Sequence, residues 1–120
     1  MNKAKKTLVK TEIDSLRALR KSMRNEPTTP EALAKELAAS KVRIAALHDE
    51  EQDVYEKMSE KQQCSTAGEI AEECIALLED VLDYMDELLA EIRGNDEVEL
   101  VEIGYGMDDV IDLLNDLAGI

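Results

Sequence analysis

Apolar residues recur along this chain at spacings of three and four, which is the period of an α-helix and not the alternation of a strand. Thr7 and Thr11 are both possible starts for the first helix, and the helix is expected to end before Asn25-Glu26-Pro27. The pattern predicts a helix over about residues 8–24. Its stripe consists of Val9, Ile13, Leu16, Arg20 and Met23.

A second helix is predicted to begin at Thr29-Pro30, because threonine caps helices and proline fits the first helical position. A seven-residue repeat of apolar residues then predicts a helix over about residues 30–58, with two polar members in its seam. The seam consists of Leu33, Leu37, Ser40, Ile44, Leu47, Glu51, Val54 and Met58.

A third helix is predicted over residues 66–93, after a turn between about Met58 and Thr66 and before Gly94. Ser65 or Thr66 is expected to cap it, and Glu69 stands at capping-box spacing from Thr66. Two adjacent stripes predict contacts with more than one neighbour. They are Ala71, Cys74, Leu78, Val81, Met85, Leu88 and Ile92, and beside them Ile75, Leu82 and Leu89.

The two long helices are similar in length and joined by a short turn, so residues 30–93 are predicted to form an antiparallel hairpin. A shorter N-terminal helix and a C-terminal helix over about 107–117 cover it, giving a single all-α helical-bundle domain over residues 1–120. Gly104-Tyr105-Gly106 is interpreted as a turn into the last helix. The segment 98–103 alternates well enough to be a short strand, and without a partner strand in this chain it would be irregular or paired across a dimer.

Charge changes this picture more than composition does. The chain has 28 acidic and 14 basic residues, for a net charge of −14, and it lacks Phe and Trp. Residues 1–25 carry eight Lys or Arg against two Asp or Glu, whereas residues 62–120 carry only Arg93 against seventeen. The acidic part opposes direct binding of nucleic acid and suits a basic protein surface. The basic first helix is expected to pack on acidic helices, its own or those of a twin.

The stretch HDEEQD, residues 48–53, contains the only histidine of the chain among four carboxylates. Heptad phase places Glu51 in the seam beside His48, and Asp49 and Asp53 on the outer face. A metal site would need ligands converging from several helices, so neither a metal site nor a cofactor is expected. Because a buried Glu51 needs a partner, we expect it to pair with Arg20, or both residues to lie at the rim.

The third helix carries a ladder of carboxylates, which predicts a face that binds a partner. Its members are Glu72, Glu73, Glu79, Asp80, Asp83, Asp86, Glu87 and Glu91. Magnesium-dependent all-α nucleotide pyrophosphohydrolases of the MazG type use an E-x-x-E and E-x-x-D arrangement. Glu69 and Glu72 fit its first half, but Glu50 and Asp53 come in the wrong order for the second. Asp83 and Asp86 would need a substitution at the first position of that second half. We therefore predict no catalytic residues.

Residues 49–92 resemble a group of small acidic helical proteins of phages and prophages, whose role is not established. The shared pattern is an acidic helix with E-E-Q-x-x-Y, a short turn, and S-x-x-G-E opening an acidic-aliphatic helix. The matching residues are Glu50, Glu51, Gln52, Tyr55, Ser59, Glu60, Gln63, Gly68, Glu69, Leu78, Leu82, Tyr84 and Leu88. The resemblance implies a helical hairpin and a mobile-element origin.

These observations favour a non-catalytic, phage-encoded acidic protein that occupies the basic, nucleic-acid-binding surface of a host defence protein, as a DNA mimic. An oligomeric adaptor, including a homodimer, and the magnesium-dependent pyrophosphohydrolase are the alternatives. No apolar run approaches the roughly 20 residues needed to span a membrane, and the expected location is the host cytoplasm.

Overall fold

The computed structural model describes residues 1–25, 28–94 and 100–120, and these residues form helices without a strand. The helices are α1 (Lys3–Asn25), α2 (Pro30–Glu56), α3 (Glu60–Gln63), α4 (Thr66–Gly94) and α5 (Leu100–Ala118). The predicted all-α bundle is confirmed. Its longest dimension is 52 Å, against 25 and 18 Å across.

Four long helices pack in an up-down-up-down arrangement. Helix α2 packs along α4, α4 along α5, and α5 along α1, while α1 touches α2 less extensively. Contacts between Lys5 and Glu51 and between Glu12 and Arg43 show that α1 and α2 run antiparallel. Each helix therefore has two neighbours, and α1 lies diagonally across the bundle from α4.

The core is aliphatic, as the composition requires. All seven members of the predicted α4 seam are buried, and so are the first six members of the α2 seam. The prediction fails at the end of α2, where Val54 is 45% exposed and Met58 lies beyond the helix. The apolar seam is not continued there, because α2 ends at Glu56 and the chain turns through α3.

The turn between the long helices contains a short helix with its own cap. The Ser59 hydroxyl accepts a hydrogen bond from the Gln62 amide, and the Gln62 side chain accepts one from the Ser59 amide, so the capping box lies here. At the start of α4, the Ser65 hydroxyl accepts a hydrogen bond from the Gly68 amide at 3.4 Å. Ser65 therefore provides the cap that was expected of Ser65 or Thr66.

Gly68 allows α3 to pack directly against α4. A Cβ atom built at Gly68 would collide with the backbone carbonyls of Gln62 and Gln63. The S-x-x-G-E motif behind the phage-protein resemblance therefore has a structural role at this turn, with a serine cap and a glycine at a close backbone contact.

The strand and turn interpretations before the last helix are wrong where the structure describes them. Helix α5 begins at Leu100, so Gly104-Tyr105-Gly106 lies inside it, while Val98 and Glu99 fall outside the described residues. Ile103 and Met107 are each 1% exposed. The alternating pattern in 100–103 does not determine the structure, because only a helix places Ile103 and Met107 on the same buried face.

The two glycines of this segment lie at helix–helix contacts. Gly104 is covered by the guanidinium of Arg20 on α1, and Gly106 by the side chain of Leu88 on α4. A side chain at either position would displace these groups. Glycine here therefore serves close packing of α5 between two neighbours.

Candidate functional site

Three polar contacts join α2 and α4 at intervals of seven residues. The Tyr55 hydroxyl donates a hydrogen bond to Glu72, His48 Nε2 lies 3.2 Å from Glu79 Oε1, and Lys41 pairs with Asp86. Side chains seven residues apart share one edge of a helix in a heptad-packed pair. One edge of the acidic ladder, formed by Glu72, Glu79 and Asp86, therefore holds the two helices of the hairpin together.

The Tyr55 contact also changes the acidity of its phenol. Donation to the Glu72 carboxylate raises the pKa of Tyr55 above its ordinary value of 10, because removing the proton would break the hydrogen bond and place two negative charges together. The Tyr55 proton is therefore a structural link between α2 and α4 at neutral pH.

The other edge of the ladder faces solvent. We call Glu73, Asp80, Asp83 and Glu87 the outer acidic edge. All four are exposed, and no described residue forms an ion pair or hydrogen bond with them. Glu91 is also exposed and makes an interaction of its own. The predicted eight-residue face is therefore divided between hairpin fastening and an open surface.

Helix α5 extends this open acidic surface. A groove of about 330 Å³ between α4 and α5 is bordered by carboxylates and by Tyr84 and Tyr105, which are 41% and 63% exposed. Its carboxylates are Glu87, Glu91, Glu102 and Asp109. The contribution of α5 was missed by the sequence analysis, because the start of this helix was interpreted as a strand and a turn.

HDEEQD is divided as the heptad phase predicts. Glu51 is 4% exposed, while Asp49 and Asp53 are exposed. His48 Nδ1 lies 3.3 Å from Asp49, and Asp53 pairs with Lys57 one turn later at 2.8 Å. The histidine therefore contacts both Asp49, its neighbour in the chain, and Glu79 on α4.

The expected pair between Arg20 and Glu51 is wrong, and so is the alternative in which both lie at the rim, because Glu51 is buried. Arg20 Nε lies 3.3 Å from Asp108 Oδ1 on α5, and Lys5 Nζ lies 2.9 Å from Glu51 Oε1. Arg20 stands near the end of α1 that meets the start of α5, whereas Glu51 lies beside the other end. Glu51 Oε1 thus has a charged neighbour but receives no hydrogen bond of good geometry.

A second buried carboxylate, Glu12, was not anticipated. It is 7% exposed and accepts a hydrogen bond from the Ser40 hydroxyl at 2.7 Å, and Arg43 pairs with it. The hydrogen bond that Arg43 donates to Glu12, together with the negative charge of Glu12, raises the pKa of Arg43. The sequence feature that indicates this site is Ser40, because a polar side chain in an apolar seam needs a hydrogen-bond partner.

The pyrophosphohydrolase pattern does not converge on one place. Glu69 and Glu72 are exposed on α4, and Asp83 and Asp86 are exposed on the same helix. Across residues 1–25, 28–94 and 100–120, no group of three His, Cys, Asp or Glu side chains is placed to hold a metal ion.

The two thiols lie in different surroundings. Cys64 is exposed, and Cys74 is fully buried in α4. Burial raises the pKa of Cys74, because the thiolate would lose its hydration; the nearby α-amino group of Met1 opposes this effect and Glu51 adds to it. Cys74 is thus a core residue, as predicted from the seam.

An apolar groove of about 210 Å³ opens where α1 and α2 meet. Leu8, 56% exposed, stands at its edge, and Val9, Ile44, Leu47 and Leu114 line it. The sparse packing of α1 against α2 leaves Leu8 exposed at this groove, while the four side chains that line it are buried.

The basic residues of α1 contact acidic helix α5 but not the ladder on α4. A groove between α1 and α5 is lined by four cations of α1 and by Asp108 and Asp112. The cations are Arg17, Arg20, Lys21 and Arg24. Lys5 also contacts Glu51 on α2, so the basic first helix packs on acidic residues of α2 and α5 in its own chain.

No protein-family model, curated protein or solved structure matches this chain. The resemblance to phage helical proteins stays a prediction. Among the described helices, none is long and apolar enough to cross a membrane.

Proposed function

We propose that this protein is a non-catalytic acidic interaction module that occupies a basic, nucleic-acid-binding surface of a host protein. The observation that carries the proposal is the exposed acidic surface of α4 and α5, whose outer acidic edge has no described partner. A basic surface that binds phosphates would also attract carboxylates held on a rigid helical scaffold, because the charges are complementary.

The open carboxylates of α4 form a row along the helix. From Glu73 to Glu87 the outer acidic edge spans about 21 Å at 1.5 Å rise per residue, which is about one charge per 7 Å. A DNA strand carries a phosphate about every 3.4 Å. The row therefore has about half the linear charge density of one strand, and it supports the proposal by its sign and its linear arrangement, not by a matched spacing.

Helix α5 supplies a second row across the α4–α5 groove. Glu102 and Asp109 face Glu87 and Glu91 over that groove. Two rows of negative charge with a groove between them are also the main electrostatic feature of a duplex. This arrangement favours a double-stranded target site over a simple charged patch.

The test is affinity capture from host lysate with the wild type and a neutralised variant. The variant carries Glu73→Gln, Asp80→Asn, Asp83→Asn and Glu87→Gln, all at exposed positions outside the α2–α4 contacts. A protein that is captured by the wild type alone, is released by salt well above 0.15 M and is displaced by duplex DNA would support the proposal. Equal capture by both proteins, or DNA bound together with the captured protein, would overturn it.

A second candidate, an oligomeric adaptor, is favoured by the apolar groove between α1 and α2. Leu8 and its neighbours offer an interface that salt does not weaken. Binding that survives high salt and is lost in Leu8→Glu would favour this function over the mimic.

A further inference from the structure

The outer acidic edge of α4 repeats the spacing of the edge that fastens the hairpin. Glu73, Asp80 and Glu87 follow one another at seven residues, one position after Glu72, Glu79 and Asp86. The latter three already meet side chains of α2 at the same seven-residue interval. The outer edge thus has the repeat of a helix-pairing surface, and no described residue occupies it.

Helix α1 carries a basic row with the same repeat. Lys3, Lys10, Arg17 and Arg24 are spaced by seven residues and are all exposed. No described carboxylate forms an ion pair with any of these four. We call these four residues the basic edge.

The basic edge cannot neutralise the outer acidic edge within one molecule. Arg17 and Arg24 of the basic edge line the groove between α1 and α5, and Glu87 of the outer acidic edge lines the groove between α4 and α5. Helix α5 lies between these two grooves. Two complementary rows of equal period therefore lie on different faces of the bundle, each without its counterpart.

We propose that the basic edge of α1 in one molecule docks lengthwise on the outer acidic edge of α4 in a second copy of this chain. Three rungs, with seven residues between them, span about 21 Å of helix. Since the two edges lie on different faces, the contact is heterologous and propagates into a chain or a ring.

Net charge sets the conditions for this contact. Each molecule carries −14, which repels copies over long distances. At 0.1 M salt the Debye length is about 10 Å, so repulsion between whole molecules is screened while charges in direct contact still attract. The association is therefore expected near physiological salt and is lost at 1 M. It needs only this chain, so it is measured without the proposed host target, which would compete for the same outer acidic edge.

The test is sedimentation velocity at 0.1 M and 1 M NaCl with a pair of charge-reversed variants. The first carries Lys10→Glu and Arg17→Glu, and the second carries Asp80→Lys and Glu87→Lys. At 0.1 M the wild type should grow beyond dimer mass with concentration, from a monomer of 13.4 kDa. Each variant alone should associate at least about tenfold more weakly, since like charges then face each other in two rungs.

Mixing the two variants gives the decisive result. The reversed α1 of the first matches the reversed α4 of the second, and their unaltered edges also match, so the equimolar mixture should associate like the wild type. Lys35→Glu with Lys61→Glu, which makes the same change in net charge as the first variant at exposed positions off the edge, should leave association unchanged. A monomeric wild type up to about 1 mM, or variants that fail to complement while circular dichroism shows them folded, would overturn the proposal.

Discussion

At the scale of single residues, the two buried carboxylates Glu12 and Glu51 differ in how well they are satisfied. Glu12 has a hydroxyl and a guanidinium as partners, whereas Glu51 Oε1 has only the ammonium of Lys5 beside it. An incompletely hydrogen-bonded buried pair is often replaceable by apolar side chains of similar size. The Lys5–Glu51 pair is therefore expected to add little net stability.

A double-mutant cycle tests this expectation. Lys5→Met alone should destabilise the protein by about 1–3 kcal/mol, because it leaves the Glu51 charge buried without a partner. Adding Glu51→Leu should restore stability to the wild-type level or above it. Urea denaturation measures Lys5→Met, Glu51→Leu and the double variant, with Lys6→Met as a control. Additive effects of the two substitutions would contradict the pairing seen between α1 and α2.

Gly68 gives a second residue-scale prediction. Gly68→Ala should lower the free energy of unfolding by about 1–3 kcal/mol, although alanine favours helices, because its Cβ would meet the carbonyls of α3. Gly94→Ala is the matched control, since nothing lies within 4 Å of a Cβ there. Thermal unfolding of both variants tests this prediction. Equal unfolding midpoints for Gly68→Ala and Gly94→Ala would show that α3 moves aside at no cost.

At the scale of helices, α2 and α4 are held by an apolar seam flanked by polar contacts that follow the same repeat. The seam explains why the hairpin forms, and the contacts at Tyr55, His48 and Lys41 fix one edge of α4 against α2. This leaves the opposite edge as the exposed acidic surface. The register of the hairpin thus decides which carboxylates are available to a partner.

The Tyr55 contact predicts a specific dependence on pH. Its folded-state pKa is raised, so its stabilisation is complete below the ordinary value of 10 and is lost as pH rises through the folded-state pKa. Tyr55→Phe should therefore be less stable than the wild type at pH 8, and the difference should shrink above pH 10. Urea denaturation at pH 8 and pH 11 measures it; a difference that grows with pH would contradict the hydrogen bond to Glu72.

At the scale of the whole molecule, Cys74 reports on opening of the core. It is fully buried where α4 contributes to the aliphatic interior, while Cys64 is exposed on the turn. A thiol reagent should modify Cys64 rapidly in the native protein and Cys74 only when the bundle opens.

Mass spectrometry of the labelled protein measures this prediction. One thiol should react at pH 8 without denaturant, and two in guanidinium chloride. Cys64→Ser is the control, and its remaining thiol should react slowly, at a rate that rises with destabilising substitutions such as Gly68→Ala. Rapid reaction of Cys74 in the folded Cys64→Ser variant would show that α4 is not held in a tight core.

The sequence by itself determined the helical class, the antiparallel hairpin and the buried seam of α4, because heptad periodicity directly reflects burial on one helix face. It also separated Glu51 from Asp49 and Asp53 by phase alone. Only the tertiary structure decided that Lys5, not Arg20, lies beside Glu51, since periodicity says nothing about how neighbouring helices are aligned. It also decided that residues 100–106 are helical, because packing against α1 and α4 favours the helix over other locally possible conformations. The acidic ladder has one edge bound to α2 and one exposed edge, because the alignment of α2 with α4 determines which carboxylates find partners.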